Sequence, residues 1–535
     1  MAEAKMVNLT IEGRPVSVPD GTSILEAAKT AGILIPHYCY HPGLPVAGVC
    51  RMCLVEVEKA PKLAPSCATA VAEGQVVRVF TDRALKAREG VLEFLLINHP
   101  LDCPICDQSG ECELQDYTFQ EGRPDSRYRD PKRFNPVEDF GGDVLYVPNR
   151  CILCTRCVRF MDDVAHEPVL NVSERGDRAL IGKFEGKDLT HPWAGNVVDL
   201  CPVGALLSKD FLNKSRAWEL DRTASICPSC TQGCNVMLEV REGTVTRIKP
   251  RPNEDVNKFF ICDYGRLNYR WINRTDRAET PHVRTDGKLR SIDWDVAVHA
   301  AAALLRDTRA FVLASPFLSN EALHLLSQVM RRNGGAGAFR AATGEEAPLA
   351  GVEGLALRRD RAANVRGAEI FGFERSERPL EGMRDGDVLV VADDDLDGIT
   401  VEDIARASQL IVISTTVPDV AKDASVLLPI TNFAEEEGTF TNLRGRVQRF
   451  MQAKPAPGFA RPSWLVLGDL LGALGAQDTF YLPADVFANI AKTHSAFSGL
   501  SYEKLGMRGL PVLNGQASTG EPDFAGIGAG SGGAR

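Results

Sequence analysis

No cysteine follows Cys262, so the last 273 of the 535 residues carry none. That half of the chain can offer neither thiolate metal ligands nor disulfides. No apolar stretch approaches the roughly 18 to 20 residues that cross a bilayer; the best candidates are short pieces such as Glu93-Phe94-Leu95-Leu96-Ile97. A transmembrane helix is therefore excluded, and membrane attachment is expected only through partners. The formal charge of −10 is spread over mixed-sign sequence without a polybasic stripe, which disfavours nucleic acid and direct lipid binding and leaves protein partners. No Gly-x-Gly-x-x-Gly follows a strand pattern, and Gly334-Gly335-Ala336-Gly337 comes after a helical segment without the dinucleotide fingerprint. No signal peptide is read at the Met1 end, and an odd number of clustered cysteines argues for a reducing compartment rather than a secreted disulfide framework.

What the chain does have is concentrated. Its 15 cysteines and one histidine fall into four sets of four, all before residue 263. The length implies three to five compact units. Alternation at Val7, Leu9, Ile11, Val16 and Val18 predicts two strands turning at Glu12-Gly13. Ser23-Ile24-Leu25-Glu26 has the pattern of a helix start, with a stop at Gly32. A strand is expected at Val76 to Phe80 and a helix from Asp82 to Asn98. Residues 120 to 142, rich in proline, glycine and charge, read as linker or surface loop. After Thr280-Pro281 the runs Ala310 to Ala314, Asp387 to Ala392 and Leu410 to Ser414, separated by helical segments, predict parallel βαβ units. The stretch Asn514 to Arg535, with seven glycines in 22 residues, is expected to be disordered.

The first set is Cys39, Cys50, Cys53 and Cys67, spaced C-x10-C-x2-C-x13-C. It resembles the plant-type [2Fe-2S] arrangement with a widened first loop; a structural zinc site would favour two CxxC pairs, and only one is present. The second set is His99, Cys103, Cys106 and Cys112. Three cysteines leave a cubane one ligand short, and His99 is the nearest donor. Cys103-Pro104-Ile105-Cys106 alone would fit a thioredoxin-like dithiol, but a third cysteine six residues on, without a strand-CxxC-helix context, favours metal.

The third set begins as the bacterial ferredoxin run, Cys151, Cys154 and Cys157, but Met161 stands where the fourth cysteine belongs. In two-cluster ferredoxins the fourth cysteine of each run serves the other cluster. Counting back from Cys201-Pro202, the other three positions of a second run hold His191, Ala194 and Val197. The region is similar to a two-cluster ferredoxin that kept one [4Fe-4S] site, Cys151, Cys154, Cys157 and Cys201, and lost the other; His191 is then structural. The fourth set, Cys227, Cys230, Cys234 and Cys262, has the spacing C-x2-C-x3-C-x27-C and resembles the N-terminal cluster domain of molybdopterin oxidoreductases, with a zinc knuckle as the alternative.

These four sets in this order, with Trp218-Glu219-Leu220 and the stretch from Ala434-Glu435-Glu436-Glu437-Gly438 through Thr441-Asn442 to Arg446-Val447-Gln448, resemble the large iron-sulfur subunit of bacterial respiratory complex I, NADH:quinone oxidoreductase. The resemblance covers about residues 1 to 510. It implies a multidomain α+β and α/β fold: a β-grasp ferredoxin-type domain (1–82), a [4Fe-4S] domain with one histidine and three cysteine ligands (83–122), a ferredoxin-like domain (140–215), a further cluster domain (220–276), a molybdopterin-oxidoreductase-like α/β domain without metal (277–513), and the tail (514–535). It implies one [2Fe-2S] and three [4Fe-4S] clusters. Electrons would come from an FMN-bearing NADH dehydrogenase subunit and pass the first, third and second sets in turn. They would leave toward quinone through other peripheral-arm subunits, on the cytoplasmic face of the inner membrane. No residue need bind NADH or quinone. The fourth set would lie off the main path.

The second half is expected to be a scaffold. Molybdenum enzymes commonly ligate the metal with Cys, selenocysteine, Ser or Asp, and no cysteine follows Cys262; about 255 residues are also few for enclosing a bis-dinucleotide cofactor, so no molybdopterin is expected. Glu435-Glu436-Glu437 reads as a solvated face. The competing function is the large subunit of a cytosolic molybdenum-dependent formate dehydrogenase. Iron-only hydrogenases share the first three sets but need further cysteines after Cys262, and diaphorase-linked subunits of NAD-reducing hydrogenases usually stop near residue 240. Metal analysis of the anaerobically reconstituted chain separates these readings: two irons from one cluster and four from each of three give fourteen per chain. Substantial molybdenum, tungsten or zinc would contradict the assignment.

Overall fold

The computed structural model describes residues 5–512; the stretch Asn514 to Arg535 lies outside them. The chain forms two compact units: Met1–Arg222 with Leu238–Arg270 and Ala347–Leu357, and Thr223–Met237 with Trp271–Glu346 and Arg358–Arg535. Among the described residues no helix is long and apolar enough to cross a membrane.

The first unit opens with the expected hairpin. Strands β1 (Met6–Ile11) and β2 (Arg14–Pro19) pair antiparallel, Met6 opposite Pro19 and Ile11 opposite Arg14. Glu12 and Gly13 both take positive φ, 47° and 77°, which is what a two-residue turn matching the strand twist requires. The alternation then buries Val7, Leu9, Ile11, Val16 and Val18 on one face. Helix α1 (Ile24–Thr30) starts where Ser23 Oγ accepts from Glu26 N at 3.2 Å. With β3 (Leu54–Val57), β4 (Ala64–Pro65) and β5 (Val76–Arg78) the sheet order is β2-β1-β5-β3-β4, β1 and β5 running parallel. The 31–53 loop, with three of the cysteines, connects α1 to β3.

Helix α2 (Asp82–Leu96), capped by Thr81, is fixed to this sheet and to α3 (Glu113–Glu121) by Arg88. That guanidinium is fully buried, donating to Leu54 O and Val79 O and pairing with Glu121 at 3.1 Å. Residues 122–137 carry no helix or strand, and Lys132 Nζ caps the end of α2 through Leu96 O and Ile97 O at 2.8 and 2.9 Å. A second small sheet joins Glu138–Gly141, Val144–Tyr146 and Leu206–Ser208. Between its strands lie the short helices Arg156–Arg159 and Asn196–Leu200. A π-helical turn, Phe160–Val164, contains Met161. Met161, Ala194 and Val197, three of the four positions at which the ferredoxin comparison expects lost ligands, are buried apolar core.

The second unit is built on an eight-stranded sheet. Six parallel strands run in the spatial order Val426–Pro429, Gln409–Ser414, Val388–Ala392, Ala310–Ala314, Ala336–Phe339, Glu374–Arg375, with His282–Thr285 and Lys288–Ser291 antiparallel on one edge. The βαβ expectation holds here, and the fully apolar strands reflect a sheet covered on both faces. From Ala310–Ala314 the chain adds strands on one side, then returns to add Val388–Ala392 on the other, which creates a switch point between these two.

The expectation of a solvated acidic run at Glu435-Glu436-Glu437 is overturned. Glu435 is 1 % exposed, gripped by Arg277 at 2.6 and 2.7 Å and by Lys454 at 3.4 Å. Glu436 is also buried, accepting from Thr431 Oγ1, Ser463 N and Ser463 Oγ, and burial raises its carboxyl to about 7. Only Glu437 is partly exposed, paired with Arg449. The run therefore pins the second unit from inside. Replacing Glu435 by Gln leaves the Arg277 charge without its anionic partner and should destabilise this unit by about 3 kcal/mol in denaturant titration; a change below about 0.5 kcal/mol would show that the pair is dispensable.

Candidate metal centres

The first set sits on the loop between α1 and β3 and on the 3-10 turn Ser66–Ala68. Arg51, between Cys50 and Cys53, has φ 58°, a left-handed kink that reverses the backbone between the two cysteines. Cys53 Sγ and Cys67 Sγ approach to 3.4 Å, and Cys39 N donates to Cys50 Sγ at 3.5 Å. Cys39, Cys53 and Cys67 are buried. The four thiols share protons: hydrogen bonding from Cys50 and Cys67 pushes Cys39 far down, and bonding from Cys67 lowers Cys53 to about 6. Cys50 and Cys67 are driven up in turn by the thiolate of Cys39. Thiolates crowded this closely oppose one another's ionisation, and a bound cation would relieve that.

The third set converges on a single cavity. Cys151, Cys154, Cys157 and Cys201 line one cavity of about 20 Å³, walled by Tyr146 and apolar side chains. Leu153 and Thr155, at φ 54° and 60°, alternate with the cysteines and fold the run around this point. Burial raises Cys151 to about 11 and Cys154 to about 12, drives Cys157 far up, and raises Cys201 as well. The Tyr146 hydroxyl is buried beside the Cys151 sulfur, toward which it can donate. Sulfur-lined space with a hydroxyl donor beside one sulfur fits a cluster whose sulfurs accept hydrogen bonds. His191 accepts from Trp193 N at 3.2 Å, as a structural residue does.

In the second set Cys103 opens the 3-10 turn Cys103–Ile105 and is exposed, whereas Cys106 and Cys112, the latter capping α3, are buried. Burial raises Cys112 to about 11, with Cys106 and Cys103 adding to the rise. His99 follows α2; burial, reinforced by Lys132 and Arg150, lowers its ring to about 4. The imidazole is then neutral near pH 7, the state in which it ligates metal. Arg150, paired with Asp102 at 2.9 Å, also acts on Cys106, so its charge faces both His99 and this thiol. Gly204 packs against Cys106, and a Cβ placed there would overlap Cys106 Sγ.

The fourth set is divided by the fold. Cys227, Cys230 and Cys234 belong to the second unit and Cys262 to the first. In the second unit Cys227 N donates to Cys234 O at 2.8 Å, and Gly233 turns the loop at φ 62°. Gln448 Nε2 donates to Gly233 O at 2.7 Å and Asn442 Nδ2 to Gln232 O at 3.3 Å. Two residues of the motif from Gly438 to Gln448 thus hold the cysteine loop, a role that motif reading alone did not reveal. Cys262 caps the helix Asp263–Leu267, its Sγ accepting from Gly265 N at 3.3 Å.

Among the described residues no cysteines form a disulfide, and no group of three or more His, Cys, Asp or Glu converges tightly enough for a single metal ion. A zinc ion would draw four donors to about 2.0–2.3 Å from one point; a polynuclear cluster keeps its sulfurs further apart.

The carboxyl ends of the parallel strands form a cavity of about 400 Å³ at the switch point, the place where this fold class binds dinucleotides. Its residues do not fit an anionic cofactor. Glu377, Asp393, Asp394, Asp395 and Asp397 line it. Its two arginines are already engaged, Arg340 with Asp394 and Asp395 at 2.6 and 2.7 Å and Arg375 with Asp360 at 2.5 Å.

Comparison with known proteins adds five domain matches. Residues 4–82 match the 2Fe-2S iron-sulfur cluster binding domain and 88–127 the NADH-ubiquinone oxidoreductase-G iron-sulfur binding region. Residues 141–207 match the ferredoxin-like domain of NADH-quinone oxidoreductase subunit 3, 220–274 the molybdopterin oxidoreductase Fe4S4 domain, and 382–473 molybdopterin oxidoreductase. The G subunit of NADH-quinone oxidoreductase from Rickettsia bellii is 41 % identical over 62 % of this chain and 49 % of the relative. The mitochondrial 78 kDa subunit of NADH-ubiquinone oxidoreductase from Neurospora crassa is 47 % identical over 55 % of this chain and 39 % of its own length. A crystal structure of an NAD+-reducing [NiFe]-hydrogenase aligns at 28 % identity and TM-score 0.35, over 39 % of this chain and 90 % of that one. The chain spans about half the length of the curated relatives it matches.

If His99, Cys103, Cys106 and Cys112 hold a cubane, Gly204→Ala should alter or abolish its signal in electron paramagnetic resonance, because the new methyl group takes the space of Cys106 Sγ. A full set of unchanged signals would show that Cys106 is not held where Gly204 allows it.

Proposed function

We propose that this chain is the iron-sulfur electron-transfer subunit of a proton-translocating NADH:quinone oxidoreductase, relaying electrons from an FMN-bearing NADH dehydrogenase subunit toward quinone. It works as a subunit of that oxidoreductase without forming the NADH or the quinone site. The observation that carries the reading is the cavity walled by Cys151, Cys154, Cys157 and Cys201, in which residues far apart in the chain meet where no isolated thiol is easily ionised.

In this reading Cys39, Cys50, Cys53 and Cys67 hold a [2Fe-2S] cluster. Three [4Fe-4S] clusters are held by His99, Cys103, Cys106 and Cys112, by Cys151, Cys154, Cys157 and Cys201, and by Cys227, Cys230, Cys234 and Cys262. For the last set the support is spacing and the match of residues 220–274. Bound iron supplies one-electron redox chemistry and the positive charge that buried thiolates need. The protein's part is to exclude water, fix sulfur positions and set the surrounding charge. Partners are the FMN- and NADH-binding subunit, a 2Fe-2S subunit and the quinone-proximal subunits of the peripheral arm. Location on the cytoplasmic face of the inner membrane, held there by those partners, follows from the same reading.

The formate dehydrogenase alternative is not favoured. The relatives are named as subunits of NADH oxidoreductases, and the acidic switch-point cavity with both arginines engaged gives an anionic molybdenum cofactor no counter-charge. Replacing His99 by Ala should disturb one cubane signal in electron paramagnetic resonance and leave the others. Unchanged spectra would remove His99 from the ligands, and formate oxidation with stoichiometric molybdenum would replace the relay reading altogether.

A further inference from the structure

We propose that Arg156 is a positioning residue of the relay: its guanidinium ties the ligand loops of three sets together and places one fixed positive charge among them. The proposal rests on the cluster assignment above. Arg156 stands between Cys154 and Cys157, at the start of the helix Arg156–Arg159, and is 4 % exposed. Its Nη2 donates to Tyr40 O at 2.8 Å, Nη1 donates to Leu200 O at 3.2 Å, and both reach the Glu113 carboxylate at 3.3 Å. Tyr40 follows Cys39 of the first set, Leu200 precedes Cys201 of the third, and Glu113 follows Cys112 of the second. Each bond therefore ends on the chain neighbour of a ligand, and the three ligands belong to three sets. One turn further on, Arg159 Nη2 reinforces the link with Cys39 O at 2.5 Å and Cys154 O at 3.3 Å.

The planar fork explains why arginine stands here. Three acceptors in different directions need donors fixed relative to one another, which a lysine ammonium on a flexible stem does not provide. One consequence is geometric: a single side chain sets the spacing of three loops, and electron tunnelling falls steeply with spacing. The other is electrostatic. Reduction adds negative charge to a cluster, so a buried guanidinium nearby favours the reduced form and raises the midpoint potential. Glu113 partly offsets that charge.

The test is a redox titration, followed by electron paramagnetic resonance, of the full-length anaerobically reconstituted chain and its Arg156→Gln, Arg156→Lys and Glu113→Gln variants, with iron counted in each. Arg156→Gln should keep its iron while the midpoints of the first-set and third-set clusters move negative, by roughly a tenfold change in reduction equilibrium, about 59 mV for one electron. Arg156→Lys should restore the midpoints, and Glu113→Gln should move them in the positive direction. Opposite signs for the two neutralising variants are not expected of a merely structural ion pair. Unshifted midpoints in an iron-replete Arg156→Gln, or shifts of the same sign in both, would overturn the proposal. If Arg156→Gln loses its iron, Glu113→Gln decides: a positive shift supports the proposal and no shift overturns it. A wild-type chain that binds no iron overturns the cluster assignment itself, and the proposal with it.

Discussion

Burying sulfur is the constraint on which the first unit is organised. A thiol removed from water resists ionisation, and around the third cavity burial pushes all four cysteines up. Thiolates become tolerable there only if positive charge is supplied from within. Bound iron would provide most of it, and the fold adds guanidinium groups close by. Arg150 faces Cys106 and His99, Arg156 reaches three ligand loops, and Arg159 bridges Cys39 and Cys154 through their carbonyls. The hydrogen bonds go to backbone carbonyls and carboxylates, not to the sulfurs, which leaves the sulfurs to ligate.

Around its eight-stranded sheet the second unit meets a related problem with charge pairs. Its interior charge is neutralised pairwise: Glu435 by Arg277 and Lys454, Asp387 by Arg309, Arg340 by Asp394. Such pairs resist being broken singly but add little to net stability over apolar packing. The switch-point cavity remains, lined by carboxylates, while Asn442 and Gln448 have the structural task of holding the Cys227–Cys234 loop.

Local elements were legible in the sequence because local chemistry produces them. Alternation from Val7 to Val18 and the Ser23 cap formed as expected, and the β-branched runs expected at 310–314, 387–392 and 410–414 form strands at Ala310–Ala314, Val388–Ala392 and Gln409–Ser414. The link from Cys151 to Cys201 was also readable, since ferredoxin logic supplies the long-range pairing that spacing alone lacks. Charge was not. Arg156 lies 116 residues from Tyr40 and 43 from Glu113, and Glu435 lies 158 from Arg277, so nothing local distinguished them from solvated residues. Gly204 was equally silent, because its meaning depends on Cys106 packing against it across the fold. An arginine lodged between two ligand cysteines was the one available hint.

The central claim is that the first half of this chain is a string of iron-sulfur centres of two kinds. Mössbauer spectroscopy of the full chain reconstituted with iron-57 tests it most directly, because binuclear and cubane irons give separate quadrupole doublets. The account predicts one part binuclear iron to six parts cubane iron, with no mononuclear site. A spectrum dominated by tetrathiolate mononuclear iron, or one lacking either kind of cluster, would contradict it.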